Sequence, residues 1–190
     1  MHELIAGLLL FFGTHSVSIV APYWRDRFVA RIGPNAWRAM HSLVSLVALL
    51  LIIRGFAAAR AAPLVWYTPA AWTHGVVRVL MLPVFPLLLA AYFPGRIQAA
   101  AKHPLLAAIK LWAFAHLLAN GTAADVLLFG GFLAWAVIDR ISLKRRPVRA
   151  LPGLPASKWN DAIVVVAGLG LYALFVCWAH LRLFGVSPLA

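Results

Sequence analysis

Acidic residues are nearly missing from this chain. Glu3, Asp26, Asp125, Asp139 and Asp161 are the five carboxylates in 190 residues. The sequence has no paired carboxylates, His-Glu-x-x-His, nucleophile elbow or phosphate-binding glycine loop, which removes the usual hydrolytic and phosphoryl-transfer chemistries. Cysteine is scarcer still. Cys177 stands alone, so an internal disulfide and a Cys-x-x-Cys-His haem attachment are both excluded. Charged residues make up 12%, about half the share of an ordinary soluble domain.

What is abundant is hydrocarbon. The chain is 64% hydrophobic with a mean hydropathy of +0.89. Apolar runs of about 20 residues recur along its whole length, the mark of a polytopic membrane protein. Helices close their own backbone hydrogen bonds in lipid, and the runs lack the alternation of barrel strands. The expected fold is all-α: a helical bundle of about six spans, forming a single domain over residues 1–190.

Those spans are read as Leu4 to Val20, His41 to Ala58, His74 or Val76 to Tyr92, His103-Pro104 to Asn120-Gly121, Ala123 to Ile138, and Asp161 to Phe184. Pro83 and Pro86 are expected to kink the third. Pro104 suits a first helical turn, and Asn120-Gly121 is a stop signal. The fourth and fifth spans read as a tight hairpin. Arg25 to Arg38 and Asp139 to Lys158 read as basic loops, and Ala99 to Lys102 as a surface segment. Met1-His2-Glu3 lacks a basic n-region, and no small-residue cleavage site follows, so the first run reads as a retained span.

A net charge of +12 invites a nucleic-acid partner. Its distribution rejects one, because the cations lie between the apolar runs, where topology and lipid headgroups place them. Arg25, Arg27, Arg31, Arg38, Arg96, Lys102, Arg140, Lys144, Arg145, Arg146, Arg149 and Lys158 fall on the odd connections. The other side holds little beyond Arg54, Arg60 and Arg182. Positive-inside bias puts the odd connections in the cytoplasm and both termini opposite. Tryptophans near span ends read as interfacial belts.

Two histidines lie at depth. His15 is about 10 Å from the cytoplasmic end of its span and His116 about 18 Å, at 1.5 Å per residue. An imidazole at such depth is costly without a partner, and neutral histidine is the commonest metal ligand. Two of them in separate spans point to a bound metal cofactor, with non-covalent haem the first candidate. The plainer alternative is that each simply hydrogen-bonds and glues helices.

His41 and His74 open spans, where an imidazole is affordable. Each reads first as structural, with a propionate contact or reserve ligation the alternative. Lys102-His103-Pro104 joins two cationic donors to a helix start, a setting for a phosphate or haem propionate, or an ordinary basic turn. Cys177 and His180 share an i, i+3 spacing, but with no second pair nearby zinc is not expected. Asp125 reads either as an acceptor orienting a histidine or as a helix N-terminal stabiliser.

Several segments carry a resemblance. Leu9-Leu-Phe-Phe-Gly-Thr-His15-Ser, Ala21-Pro-Tyr-Trp-Arg-Asp-Arg27, Leu80-Met-Leu-Pro83 and Ala91-Tyr-Phe-Pro-Gly-Arg-Ile97 resemble the NnrU family of bacterial membrane proteins. So do Lys102-His-Pro-Leu105, Leu111-Trp-Ala-Phe-Ala-His-Leu-Leu-Ala-Asn-Gly121 and Ala124-Asp-Val-Leu-Leu-Phe-Gly130, which extends the likeness over nearly the whole chain up to Arg146. The resemblance implies a multi-pass protein of the bacterial inner membrane, linked to denitrification and nitric oxide. It also implies kinship with the zeta-carotene isomerases, which use haem b to isomerise a cis double bond. Their Ala-His-Ser-Gly histidine falls on His15, their Arg-His-Pro on Lys102-His103-Pro104, and their Trp-Cys-Leu-Ala-His on Trp112 to His116. The cysteine of that last motif is Ala113 here, so a thiolate is missing from that place.

The resulting expectation is a haem-b protein with His15 and His116 as axial ligands and His103 and Lys102 at the propionates. Its ligand would be a hydrophobic isoprenoid or nitric oxide, and its partners membrane lipids. A basic-His-Pro helix start also resembles the S-adenosylmethionine-dependent membrane methyltransferases, although no glutamate follows His103 here. A transporter or sensor is the non-enzymatic alternative; Pro83 and Pro86 would permit an unwound site, but a second span with matched breaks is missing.

Overall fold

Proline and glycine punctuate this chain into helices. In the computed structural model, which describes residues 1–146, 149 and 153–189, Pro22, Pro34 and Pro104 each sit in the first turn of a helix. Proline's missing N–H costs nothing at that position. Among the described residues there is no strand, only an isolated bridge between Val65 and Thr122. The helices group into two compact units, residues 1–67 with 122–147 and residues 68–121 with 148–190.

The first unit contains α1 (His2–Val20), α2 (Pro22–Ile32), α3 (Pro34–Ala61) and α8 (residues 123–142). Its axis is the antiparallel pair α1–α3, whose backbones nearly touch. A Cβ on Gly55 would fall 2.1 Å from the Leu4 nitrogen, and one on Gly7 2.8 Å from the Ile52 nitrogen. Glycine at those two positions is what lets the helices close. Leu4, Leu8, Ala48 and Ile52 are buried along the seam.

Helix α8 starts from a capping box. The Asp125 carboxylate accepts from the Thr122 N–H at 3.0 Å, and the Thr122 hydroxyl oxygen accepts from the Asp125 N–H at 3.2 Å. Of its two readings, Asp125 takes the helix-terminal one. Thr122→Ala should cost about 1 kcal/mol, read as a lower unfolding midpoint in detergent. The helix widens into π-type turns over Val126–Gly130 before resuming at Gly131–Ser142. Arg146 pairs with Asp139 beyond its end.

The second unit contains α4 (Thr73–Met81), α5 (Val84–Ala90), α6 (Arg96–Ala101), α7 (Pro104–Ala119) and α9 (Asn160–Phe184, widened over Phe175–Ala179). Pro83 breaks the third apolar run between α4 and α5, as its sequence position predicts. Gly168 lets α9 approach α5, since a Cβ there would fall 2.6 Å from the Pro86 nitrogen. Asp161 accepts from the Arg96 and Ile97 N–H groups at 3.0 Å each and ties α9 to the start of α6.

Four helical segments, His2–Val20, Pro34–Ala61, Thr73–Ala90 and Asn160–Phe184, are long and apolar enough to cross a membrane. No more than 22% of any of their windows is buried, so most of their apolar surface faces outward, as lipid requires and water does not. Pro104–Ala119 is apolar but has 16 residues, about 24 Å against a hydrocarbon core of about 30 Å. Residues 123–142 carry Asp125, Asp139 and Arg140 near their ends.

Two sequence expectations need correcting. Residues 25–38 are not a loop: they form most of α2, the Gly33 hinge at φ +87°, and the first turn of α3. The second span accordingly begins at Pro34, not His41. Hydrophobicity marks where a helix meets lipid; proline and glycine mark where it begins. Positions 147, 148 and 150–152 of the expected 139–158 loop lie outside the described residues.

Candidate functional site

The α1–α3 register decides what His15 meets. Counting from the Leu4–Gly55 contact, 11 residues along α1 reach His15 and 14 back along α3 reach His41, about three and four turns respectively. The imidazoles come together with centroids 4.8 Å apart and planes at 69°. His41 therefore does not open its helix. It lies two turns inside α3, and the sequence reading that placed it at a span end followed from a start set too late.

His15 is held from several sides. Its Nδ1 lies 2.8 Å from the Phe11 carbonyl oxygen. A carbonyl only accepts, so Nδ1 carries the proton and Nε2 the lone pair. The ring stacks on Phe11 at 3.9 Å, and Trp135 of α8 stands edge-on at 6.0 Å. Trp135 reaches this place because Gly131, one turn earlier, lets Phe12 approach; a Cβ there would fall 2.9 Å from that ring. The Trp135 Nε1 atom is buried and has no hydrogen-bond partner. Its sequence reading as an interfacial belt residue missed this role.

His41 leads outward to a cation. The Ser45 hydroxyl donates to the His41 carbonyl at 2.7 Å, and its oxygen stands 3.4 Å from His41 Nδ1. The Trp37 ring lies 5.9 Å from that of His41, and the Arg25 guanidinium caps Trp37 at 5.5 Å from its centroid. The Arg25 Nη1 donates to the Asp26 carboxylate at 2.9 Å, while its buried Nε has no acceptor.

The second unit holds His116, His103 and Lys102. His116 repeats the His15 arrangement. Its Nδ1 donates to the Trp112 carbonyl at 2.8 Å, again leaving the lone pair on Nε2. The Asn120 amide donates to the His116 carbonyl at 2.9 Å where α7 ends, at the stop the sequence marks. Ala113 and Ala115 beside it are fully buried.

Lys102 and His103 form the joint between α6 and α7. Lys102 has φ 59° and ψ −43°, and the His103 N–H reaches back to the Ala101 carbonyl at 2.6 Å. That is a γ-turn of the strained kind, at the one non-glycine residue with positive φ among those described. Lys102→Gly should relieve it and stabilise the protein by about 1 kcal/mol, seen as a rise in unfolding midpoint.

His74 is exposed, with its Nδ1 3.3 Å from the Ala71 carbonyl, and His180 donates to the Val186 carbonyl at 2.7 Å. Cys177 is exposed within the widened turn of α9. Among the described residues no three of His, Cys, Asp and Glu converge as a metal cage would need.

Residues 3–188 match the sequence model of the NnrU protein family, and the match spans both units. The chain belongs to the NnrU family. No curated protein and no solved structure matches it. His15, Lys102, His103 and His116 all fall within the NnrU match, and so do His41 and Trp135.

Haem b can be judged against these residues. Metal-ligating histidines almost always donate their other N–H to a carbonyl or carboxylate, which fixes ring and tautomer. His15 and His116 both do so from apolar helices. A buried indole N–H beside His15 adds a polar atom in want of an acceptor. His15 lies in the first unit and His116 in the second, so each fits a haem-ligand role on its own local chemistry.

Proposed function

We propose that this NnrU-family chain is a haem-b protein of the bacterial inner membrane, for which His15 and His116 are the candidate iron ligands and Lys102 and His103 the candidate propionate partners. The observation that carries this reading is the clamp common to both histidines, a 2.8 Å bond from Nδ1 to the carbonyl four residues earlier. It favours the tautomer with the proton on Nδ1 and fixes the ring, as the outer hydrogen bond of a metal-ligating histidine does. Basic connections on the cytoplasmic side complete the proposal for its topology.

Haem b would supply an iron able to bind a diatomic gas or a double bond. The chain's own residues do the rest. Phe11 and Trp112 hold the two imidazole tautomers through their carbonyls, and the surrounding apolar helices exclude water. Lys102 brings positive charge, and His103 a ring nitrogen, to the start of α7, where carboxylates are favoured.

The aromatic wall at His15, made by Phe11 and Trp135, favours a hydrophobic isoprenoid or carotenoid-like substrate and a cis-trans isomerisation. The unpartnered Trp135 N–H favours a second reading, a small acceptor such as nitric oxide held beside the same histidine in a denitrification-linked role. The test is the optical spectrum of protein purified from haem-replete cells. A Soret band is expected. Its absence overturns the reading, and saturable binding of labelled S-adenosylmethionine in its place would assign the chain to the methyltransferases.

A further inference from the structure

A groove of about 350 Å³ runs along the outside of the first unit, between α1 and α3. Leu9, Gly13 and Val17 line one wall, and Val44 and His41 the other. Trp24 and Trp37 stand at the end near Val17. From Leu9 to Val17 is about 12 Å of helix, close to the 15 Å or so of hydrocarbon in one leaflet. The groove is thus as long as an acyl chain is deep, and its aromatic end lies where headgroups begin.

Charge marks that same end. Arg25, Arg27 and Arg31 lie on α2 and Arg38 on the first turns of α3, with Asp26 the only acid among them. Arg25 rests on Trp37, the groove's own wall, and keeps part of its guanidinium exposed beside that wall. Four arginines against one carboxylate leave this end with a net positive charge, which favours an anionic headgroup over a neutral one.

We propose that this groove binds one anionic phospholipid of the leaflet on the arginine side, with an acyl chain along Leu9 to Val17 and the phosphate at Arg25. The bound chain then passes His41, one ring contact from His15. The proposal stands independently of haem.

Native mass spectrometry of the full chain, titrated in detergent with phosphatidylglycerol or phosphatidylcholine, tests it. One phosphatidylglycerol should bind at least about fivefold more tightly than phosphatidylcholine, the worth of a single arginine at an anionic lipid surface. Gly13→Leu should lose that site and keep its helicity and unfolding midpoint, because a Cβ at Gly13 meets nothing within 4 Å. Arg25→Gln should keep one bound lipid while losing the preference between headgroups. Equal affinity of the two lipids for the unaltered chain overturns the proposal, as does unchanged phosphatidylglycerol binding by Gly13→Leu. A dimer that Gly13→Leu dissolves would instead assign the groove to a second copy. The Soret band of Gly13→Leu is read in parallel, so failure of the haem reading remains separate from failure of this one.

Discussion

On the haem-b proposal, His15→Ala and His116→Ala are each expected to lower the Soret absorbance of the purified protein. Losing only an outer partner of a metal ligand costs 10- to 100-fold in affinity as a rule, and losing the ligand itself should cost more. Each variant should therefore purify with less than about a tenth of the haem of the unaltered protein. His41→Ala separates ligation from packing. It removes the ring 4.8 Å from His15 but leaves the Phe11 clamp intact, so haem should be retained with a shifted absorption maximum. Full haem content in either His15→Ala or His116→Ala would remove that residue from the ligand set. Trp135→Phe keeps the edge contact and deletes the unpartnered N–H. It should leave haem content unchanged and speed release of nitric oxide, if that is the ligand held there.

The second large effect is expected at the α1–α3 seam. Gly55→Ala puts a methyl group 2.1 Å from the backbone nitrogen of Leu4. A flexible side chain could move aside, but backbone cannot without separating the helices. The cost should reach or exceed the ~3 kcal/mol upper range of ordinary overpacking. Chemical unfolding in detergent would show it as a large loss of midpoint or of folded yield. Gly75→Ala is the matched control in α4, where an added Cβ meets nothing within 4 Å; alanine there should stabilise by 0.5–1 kcal/mol. Equal behaviour of the two variants would disprove the close seam. Because the same seam sets the register of His15 against His41, Gly55→Ala should also disturb the His15 environment, read as a spectral change in whatever folded fraction survives.

Much of the architecture could be read along the chain. Pro83 splits the third run, Pro104 starts α7 and Asn120 ends it, all from local backbone chemistry. Local reasoning failed at residues 34–40, where Pro-Asn-Ala-Trp-Arg-Ala-Met is too polar to look like a span yet forms the opening turns of α3. That single displacement hid the seven residues of α3 that precede His41, and with them the register that sets it beside His15. Trp135 was hidden for a different reason. A tryptophan in an apolar helix looks the same whether it faces lipid or another helix, and the available clue was Gly131 four residues earlier on the same face.

By itself the sequence determined an all-helical, strongly apolar chain and most of the places where its helices start and break. Those follow from hydrocarbon content and from proline and glycine, which act on their immediate neighbours. Only the tertiary structure decided that His15 faces His41 and Trp135, and that a groove ends beside Arg25. Such neighbours depend on how closely two helices approach and in what register. For α1 and α3, that is set by two missing side chains, at Gly7 and Gly55.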